Sequence, residues 1–318
     1  MAATNPKIDM AHTAIVIKST GSWYTLSDLA TGERAEARIR GRLRLRGTRS
    51  TNPVVVGDVV DYESDESGGP AITRVHERRN YMIRRSPNLS RESHIIAANI
   101  DQALLVVTLD FPVTNCEFID RFLVTAEAYK IPVTIVLNKC DLYTEAYGEQ
   151  FAAFLQTYGQ AGYPVLAISA RNPADVGEVR ALLRGRTTLV SGNSGVGKST
   201  LIRAVEPTAE LRTGDISDAT GKGRHTTTFS QMYPLADGGY IIDTPGIKGF
   251  GLIDIAPDEV CRYFPDLFRY APDCQFYNCT HTHEPRCAVI DAVARGDIGE
   301  SRYISYLKIL DEDSKYRK

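Results

Sequence analysis

The stretch LVSGNSGVGKSTLI, Leu189 to Ile202, constrains the fold more than any other part of the chain. Gly192-Asn-Ser-Gly-Val-Gly197-Lys198-Ser199 fits G-x-x-x-x-G-K-[ST]. This is a turn whose backbone N–H groups converge on a phosphate chain because glycines leave no Cβ in the way. Such a loop works only between a strand and a helix. TTLVS before it has strand character, and STLIRAV after it has helix character. Gly192, Asn193, Ser194, Gly195, Val196, Gly197, Lys198, Ser199 and Thr200 are therefore expected to line a phosphate site. The helix N-terminus would add its dipole, Lys198 would reach the β- and γ-phosphates, and the Ser199 hydroxyl would ligate Mg²⁺.

VTIVLNKCD supplies Asn138-Lys139-Cys140-Asp141 at a strand end. A carboxylate in this position suits guanine, whose N1–H and 2-amino group are adjacent donors for one bidentate acceptor. Adenine lacks the amino group and would leave the carboxylate desolvated and unpaired. The Lys139 stem can lie over the purine face, and Asn138 can tie this loop to the phosphate loop. Ser169-Ala170 ends the next apolar run and can present a backbone N–H to the guanine 6-oxygen. By itself NKCD could be only a polar turn after a strand; beside the phosphate loop it reads as the base site of a GTP-binding protein.

Asp243-Thr-Pro-Gly246 closes YIIDTPG, where Asp243 would hold Mg²⁺ through water and the Gly246 N–H would sense the γ-phosphate. GKGRHTTT, Gly221 to Thr228, has the composition of a switch loop, with Thr227 favoured over Thr226 as the Mg²⁺ ligand. Ile247 follows Gly246, where many GTPases carry a glutamine that orients the attacking water. Isoleucine cannot do so. His225 is the nearest polar candidate, although contact with solvent or rRNA would account for it equally well.

The parts run in an unusual order. The base motif at 138 and Ser169-Ala170 precede the phosphate loop at 192, and the switch threonines and Asp243 follow it. This is a rotation of the usual list, as though the usual termini had been joined and the chain reopened after Asp-x-x-Gly. Domain termini lie at the surface and often close together, so such a permutation preserves the sheet and pocket.

Three regions flank and contain this set. Short alternating runs between Gly, Asn and Ser signals predict a small β-barrel or sandwich from about His12 to Arg79. Apolar β-branched runs alternating with amphipathic segments predict an α/β domain from about Ile95 to Gly251. The remainder is helical in pattern apart from a cysteine cluster. The expected boundaries are a barrel at 1–82, a nucleotide domain at 83–251 and a helical extension at 252–318.

Cys274, Cys279 and Cys287 offer three thiolates, and His281 or His283 an imidazole, in a polar, turn-rich segment with little core of its own. That set suits a closed tetrahedral zinc site of structural type. Arg38, Arg40, Arg42, Arg44 and Arg46 alternate with Ile39, Gly41, Leu43 and Leu45. Period 2 places the arginines on one face, suited to a phosphate-rich partner such as RNA. Arg78, Arg79, Arg84 and Arg85 could extend that face. The net charge of -2 makes the local distribution, rather than the total, the informative quantity. No run approaches a membrane span, and the N-terminus carries no apolar signal segment, so a cytoplasmic protein is expected.

GNSGVGKST, NKCD, GKGRHTTT, DTPG and the Cys/His cluster, in this order and spacing, resemble the RsgA (YjeQ) family of circularly permuted, small-ribosomal-subunit-dependent GTPases. The resemblance covers nearly the whole chain. It implies an N-terminal OB-like barrel, a central permuted P-loop GTPase domain and a C-terminal, mainly helical zinc-binding domain with His281 as the fourth ligand. It also implies hydrolysis of GTP to GDP and phosphate with Mg²⁺, coupled to late maturation of the small ribosomal subunit through its rRNA and to release of the protein, which is expected to act as a monomer. Arg286 departs from the pattern, where a small glycine is expected; it is not a ligand. Because Gly246 leads through IKGFGLID into the extension, γ-phosphate sensing is expected to move that extension. Two rivals remain. One is a zinc-containing RNA-binding module with a vestigial nucleotide pocket; the other, a nucleotide kinase, is opposed by NKCD and by the lack of acceptor-site features.

Overall fold

The computed structural model describes residues 12–40, 53–64, 69–85, 93–209, 230–244 and 255–315. Strands β1 (His12–Ser19), β2 (Tyr24–Asp28), β3 (Arg34–Ile39), β4 (Val59–Ser64) and β5 (Pro70–Val75) form the first unit. Their order β1-β2-β3-β5-β4, with β4 returning to β1, closes a five-stranded barrel with β3 and β5 parallel. Alternation explains the core: Ala14, Val16, Tyr24, Leu26, Ala37, Val60 and Ile72 point inward. Asp28 turns the chain after β2 by accepting the N–H groups of Ala30 and Thr31. Arg78 clamps the fully buried Asp58 with two 2.7 Å bonds. Arg78 is thus a staple of the barrel rather than an extension of the arginine face.

A hairpin, β6 (Tyr81–Arg85) with β7 (Ser93–Ala98), follows and straddles the expected boundary at 82–83. Beyond it, β8 (Gln102–Val107), β9 (Val133–Leu137), β10 (Val165–Ala167), β11 (Thr187–Ser191), β12 (Gln231–Pro234) and β13 (Tyr240–Asp243) build the central sheet. Its order is β10-β9-β8-β11-β13-β12, parallel except for the antiparallel last strand β12. Renumbered from the phosphate-loop strand β11, this order becomes 6-5-4-1-3-2. The spatial arrangement is continuous, and only the point at which the chain enters it has moved. Every residue of β8 is buried, as a central parallel strand covered on both faces requires.

Helices α1 (Cys116–Ala128), α2 (Gly148–Gln160), α3 (Pro173–Leu183) and α4 (Lys198–Val205) cover this sheet. Asn115 caps α1 by accepting the Glu117 N–H, and Asn172 caps α3 through the Ala174 N–H. β12 also pairs with β1 at Lys18 and Gln231, so the barrel continues from the sheet edge.

The last unit packs α5 (Pro265–Phe268), α6 (Ala288–Arg295), α7 (Glu300–Lys315) and 3₁₀ turns around Val260, Phe264, Leu267, Val289, Ile298 and Tyr306. Val124 of α1 belongs to the same cluster, so this unit shares a core with the central domain. Among the described residues no helix is long and apolar enough to cross a membrane.

Candidate nucleotide site and metal centre

The parts separated in sequence meet at the carboxyl ends of β11, β9, β10 and β13. Gly192 opens the phosphate loop with φ +148, and a Cβ there would lie 2.2 Å from the Val106 carbonyl. Gly197 closes it with φ +97 as the N-cap of α4, and a Cβ there would lie 2.4 Å from Asn138 Nδ2. No other residue type fits either position, which is why the motif demands glycine there.

Asn138 is buried and performs the tie expected of it. Its Nδ2 donates to the Val196 carbonyl at 2.8 Å, and its Oδ1 accepts the Ala170 N–H at 3.0 Å. One amide thus fastens the base loop, the phosphate loop and the Ser169-Ala170 turn. Of the two backbone N–H groups of Ser169-Ala170, either of which could meet a guanine 6-oxygen, that of Ala170 is engaged with Asn138, so a base would have to share it. Ser169 is oriented by its own N–H donating to Asp175. Asp141 is exposed at the start of a 3₁₀ turn, Cys140–Leu142. Its neighbour Cys140 turns inward to the Leu137 carbonyl, and burial pushes its thiol up to about 11.

Lys198 Nζ donates to the carbonyls of Gly192 and Asn193 and is half-buried, and the loss of hydration pulls its ammonium down to about 8. Asp243 ends β13 opposite Val190, and burial raises its carboxyl to about 6, opposed by Lys198. A half-buried cation and a half-buried anion lie close enough to stabilise each other, each partly stripped of hydration; a polyphosphate and a divalent cation would supply further opposite charge to each. Thr244 fixes the strand end by donating to the Val190 carbonyl at 3.0 Å. Gly246, His225, Thr226, Thr227 and Ile247 lie outside the described residues.

The second site lies in the C-terminal unit. Ligand atoms of Cys274, Cys279, His281 and Cys287 all fall within 4.8 Å of one another. Cys274 Sγ is 3.5 Å and Cys287 Sγ 3.4 Å from His281 Nδ1, and these two sulfurs are 3.9 Å apart. A tetrahedral ion with sulfur at ~2.3 Å and nitrogen at ~2.0 Å sets its ligand atoms about 3.5–3.8 Å apart, so the residues fit a metal. Burial favours neutral imidazole at His281, the ligand form, while raising the Cys279 and Cys287 thiols. His283 stays on the surface against Thr282 and does not join the set. His281 has φ +58 and is held by Tyr303, whose hydroxyl donates to the His281 carbonyl at 2.7 Å. Tyr306 does the same to Thr280 at 2.8 Å. Nothing local in sequence announces these two tyrosines. Arg286 has φ +55, the region where glycine is favoured, which accounts for glycine being the expected residue there.

Of the arginine face, Arg38 and Arg40 are described and exposed. The Arg38 guanidinium lies 3.9 Å from the Trp23 ring centroid, and Arg40 faces Glu63 at 3.6 Å. Arg42, Arg44 and Arg46 lie outside the described residues, as do the side chains of Arg84 and Arg85. Arg79 is paired with Asp101 at 2.6 Å.

A phosphate loop, a base loop and an aspartate strand on a rotated sheet, between a barrel and a metal-ligating helical unit, define a circularly permuted P-loop GTPase. Residues 75–253 match the RsgA GTPase family and residues 13–72 the RsgA N-terminal domain. The chain belongs to the RsgA GTPase family, and so is a GTP-hydrolysing enzyme. It is 52% identical over 305 residues to the small ribosomal subunit biogenesis GTPase RsgA of Phocaeicola vulgatus, covering 95% of this chain and 98% of that one. It is 50% identical over 305 residues to the protein named small ribosomal subunit biogenesis GTPase RsgA 2 in Bacteroides thetaiotaomicron, covering 95% and 98%. The crystal structure of YjeQ from Thermotoga maritima aligns with a TM-score of 0.75 at 34% identity, covering 95% and 98%. That of YloQ, described as a circularly permuted GTPase, aligns with a TM-score of 0.72 at 27% identity, covering 99% of each.

Proposed function

We propose that this GTPase acts on the small ribosomal subunit, binding it late in maturation with GTP and leaving after hydrolysis. The observation that carries the reading is Asn138, which joins the base loop to the Val196 carbonyl and Ala170, in a chain whose relatives at about half identity are named for small-subunit biogenesis.

In this reading Asp141 accepts the guanine N1–H and amino group, Lys139 lies along the purine, and Gly192 to Thr200 wrap the phosphates, with Cys140, Ser169 and Ala170 completing the base end. Lys198 offsets the phosphate charge. Ser199, Asp243 and Thr227 would hold Mg²⁺, which neutralises the β- and γ-phosphate oxygens when bound. Gly246 would sense the γ-phosphate and His225 would position water. The Cys274, Cys279, His281 and Cys287 set would hold zinc, whose role is structural because all four positions come from the protein. The barrel arginines would face rRNA, and the protein would work in the cytoplasm as a monomer with domains at 1–82, 83–251 and 252–318.

Sedimentation with purified small subunits tests the partner. Co-sedimentation in a non-hydrolysable GTP analogue and release in GDP is expected. Equal sedimentation in both nucleotides, or none in either, would contradict it.

A further inference from the structure

The loop between β8 and α1, Thr108 to Thr114, touches the nucleotide site without containing any of the motifs that define it. Lys139 Nζ donates to two carbonyls, that of Gly195 in the phosphate loop at 2.7 Å and that of Phe111 in this loop. Pro112 packs on the same glycine, where a Cβ would meet its Cδ at 3.2 Å. Lys139 and Phe111 both have left-handed backbones, φ +66 and +62. A side chain adopts that region only when its surroundings impose it, and such residues cluster at functional sites.

Asp110 is one of the groups that hold Phe111 there. One carboxylate oxygen accepts the Phe111 N–H at 2.7 Å, and the other accepts the Tyr147 hydroxyl at 2.8 Å. Tyr147 closes the 3₁₀ turn Glu145–Tyr147, just beyond the base loop. Tyr143 adds a second tie: its hydroxyl accepts the Leu109 N–H at 2.9 Å and donates to the Asn138 carbonyl at 2.8 Å. The two tyrosines therefore fasten this loop to the far side of the base motif, with Lys139 between.

We propose that Asp110, held by Tyr147, is a positioning residue for the guanine nucleotide: it sets the Phe111 carbonyl against the Lys139 ammonium and so fixes the lysine stem that receives the purine. This rests on the guanine reading of Asn138 to Asp141. An ammonium has three donors in flexible rotation. Two carbonyl acceptors from different loops leave it one orientation and one free donor, so the stem is ordered before the nucleotide arrives. Preorganisation of this kind raises affinity without any contact to the ligand.

A double-mutant cycle on the full-length protein reads the effect, with GDP and ADP dissociation constants measured by fluorescent-analogue titration and melting temperatures taken without nucleotide. Wild type binding GDP in clear preference to ADP supports the guanine reading separately; failure there overturns both. Asp110→Ala should weaken GDP binding about five- to tenfold, and Tyr147→Phe, which keeps the ring packing, about two- to threefold. In a Lys139→Ala background, Asp110→Ala should add less than about twofold. An equal Asp110→Ala effect in both backgrounds, or no effect of either latch variant on GDP in the wild-type background, would overturn the proposal.

Discussion

Arg302 and Asp120 stand 182 positions apart in sequence and 2.8 Å apart in the fold, neither exposed to solvent. The same guanidinium makes a bidentate pair with Asp266 at 3.0 and 2.8 Å and lies 4.7 Å from the Phe264 ring centroid. Arg302 belongs to α7, Asp266 to α5 and Asp120 to α1, so one side chain joins the unit with the Cys/His cluster to the GTPase domain. Lys308 of α7 reinforces the join at the surface through Glu117 of α1, at 3.0 Å.

The two carboxylates are not equivalent. Asp266 has both oxygens on Arg302, whereas Asp120 meets it through Oδ1 alone and keeps Oδ2 buried away from the guanidinium. Burial accordingly raises the Asp120 carboxyl above its ordinary value. Arg302→Ala should lower unfolding stability by about 3–5 kcal/mol, because it leaves buried carboxylates without a cation. Asp120→Asn should cost less than ~1 kcal/mol and Asp266→Asn about 1–3 kcal/mol. Urea unfolding of the three variants checks the order; equal losses for both aspartates would refute the asymmetry.

Asp141→Asn should convert base preference. An amide presents one acceptor and one donor, which suits the 2-oxo group of xanthine but not the amino group of guanine. GTP binding should fall by about a hundredfold or more while xanthosine triphosphate binding rises. Titration with both nucleotides decides it; unchanged GTP affinity would remove Asp141 from the base site.

Lys198 and Asp243 give the nucleotide site a pH window. With its ammonium pulled down to about 8, Lys198 binds phosphate best below that pH and loses charge above it. With its carboxyl raised to about 6, Asp243 is charged for a cation above that pH and neutral below it. GTP affinity in Mg²⁺ should therefore be greatest between about pH 6 and 8 and fall on either side. A flat profile from pH 5 to 9.5 would show that neither group senses the ligand.

Removing the metal should unfold its surroundings rather than the whole chain. The loop from Cys274 to Cys287 is tied to α7 by Tyr303 and Tyr306, but the four ligands would repel or need protons without an ion. Chelation should release one metal ion per chain, expected to be zinc, and raise hydrogen exchange over residues 255–315, while the central sheet stays protected. Unchanged exchange after complete metal loss would contradict a structural role.

The parts of the site that depend on local backbone geometry were legible in the sequence. Gly192 and Gly197 are there because neighbouring backbone or side-chain atoms leave no room for a Cβ, and that requirement is written in the residue type itself. The rotated order of the motifs carried the topology for the same reason, since each strand end is marked by its own motif. Long-range relations were not legible. Nothing near Arg302 names Asp120 as its partner, and Arg78 looked like part of a basic surface until Asp58 was placed beside it. Helix α2 is weakly marked in GEQFAAFLQTYGQ, because Tyr158 is its one fully buried residue and glycines stand at its first and penultimate positions. Strand β12 has only four residues and is stabilised by neighbours on both edges, not by its own pattern.

The central claim joins the assembled pocket to the small ribosomal subunit, and the most direct measurement is GTP turnover with and without purified small subunits, in wild type and in Lys198→Ala. The account predicts slow turnover of the free wild-type protein, strong stimulation by small subunits and loss of turnover under both conditions in Lys198→Ala. Wild-type turnover that small subunits leave unchanged would contradict it.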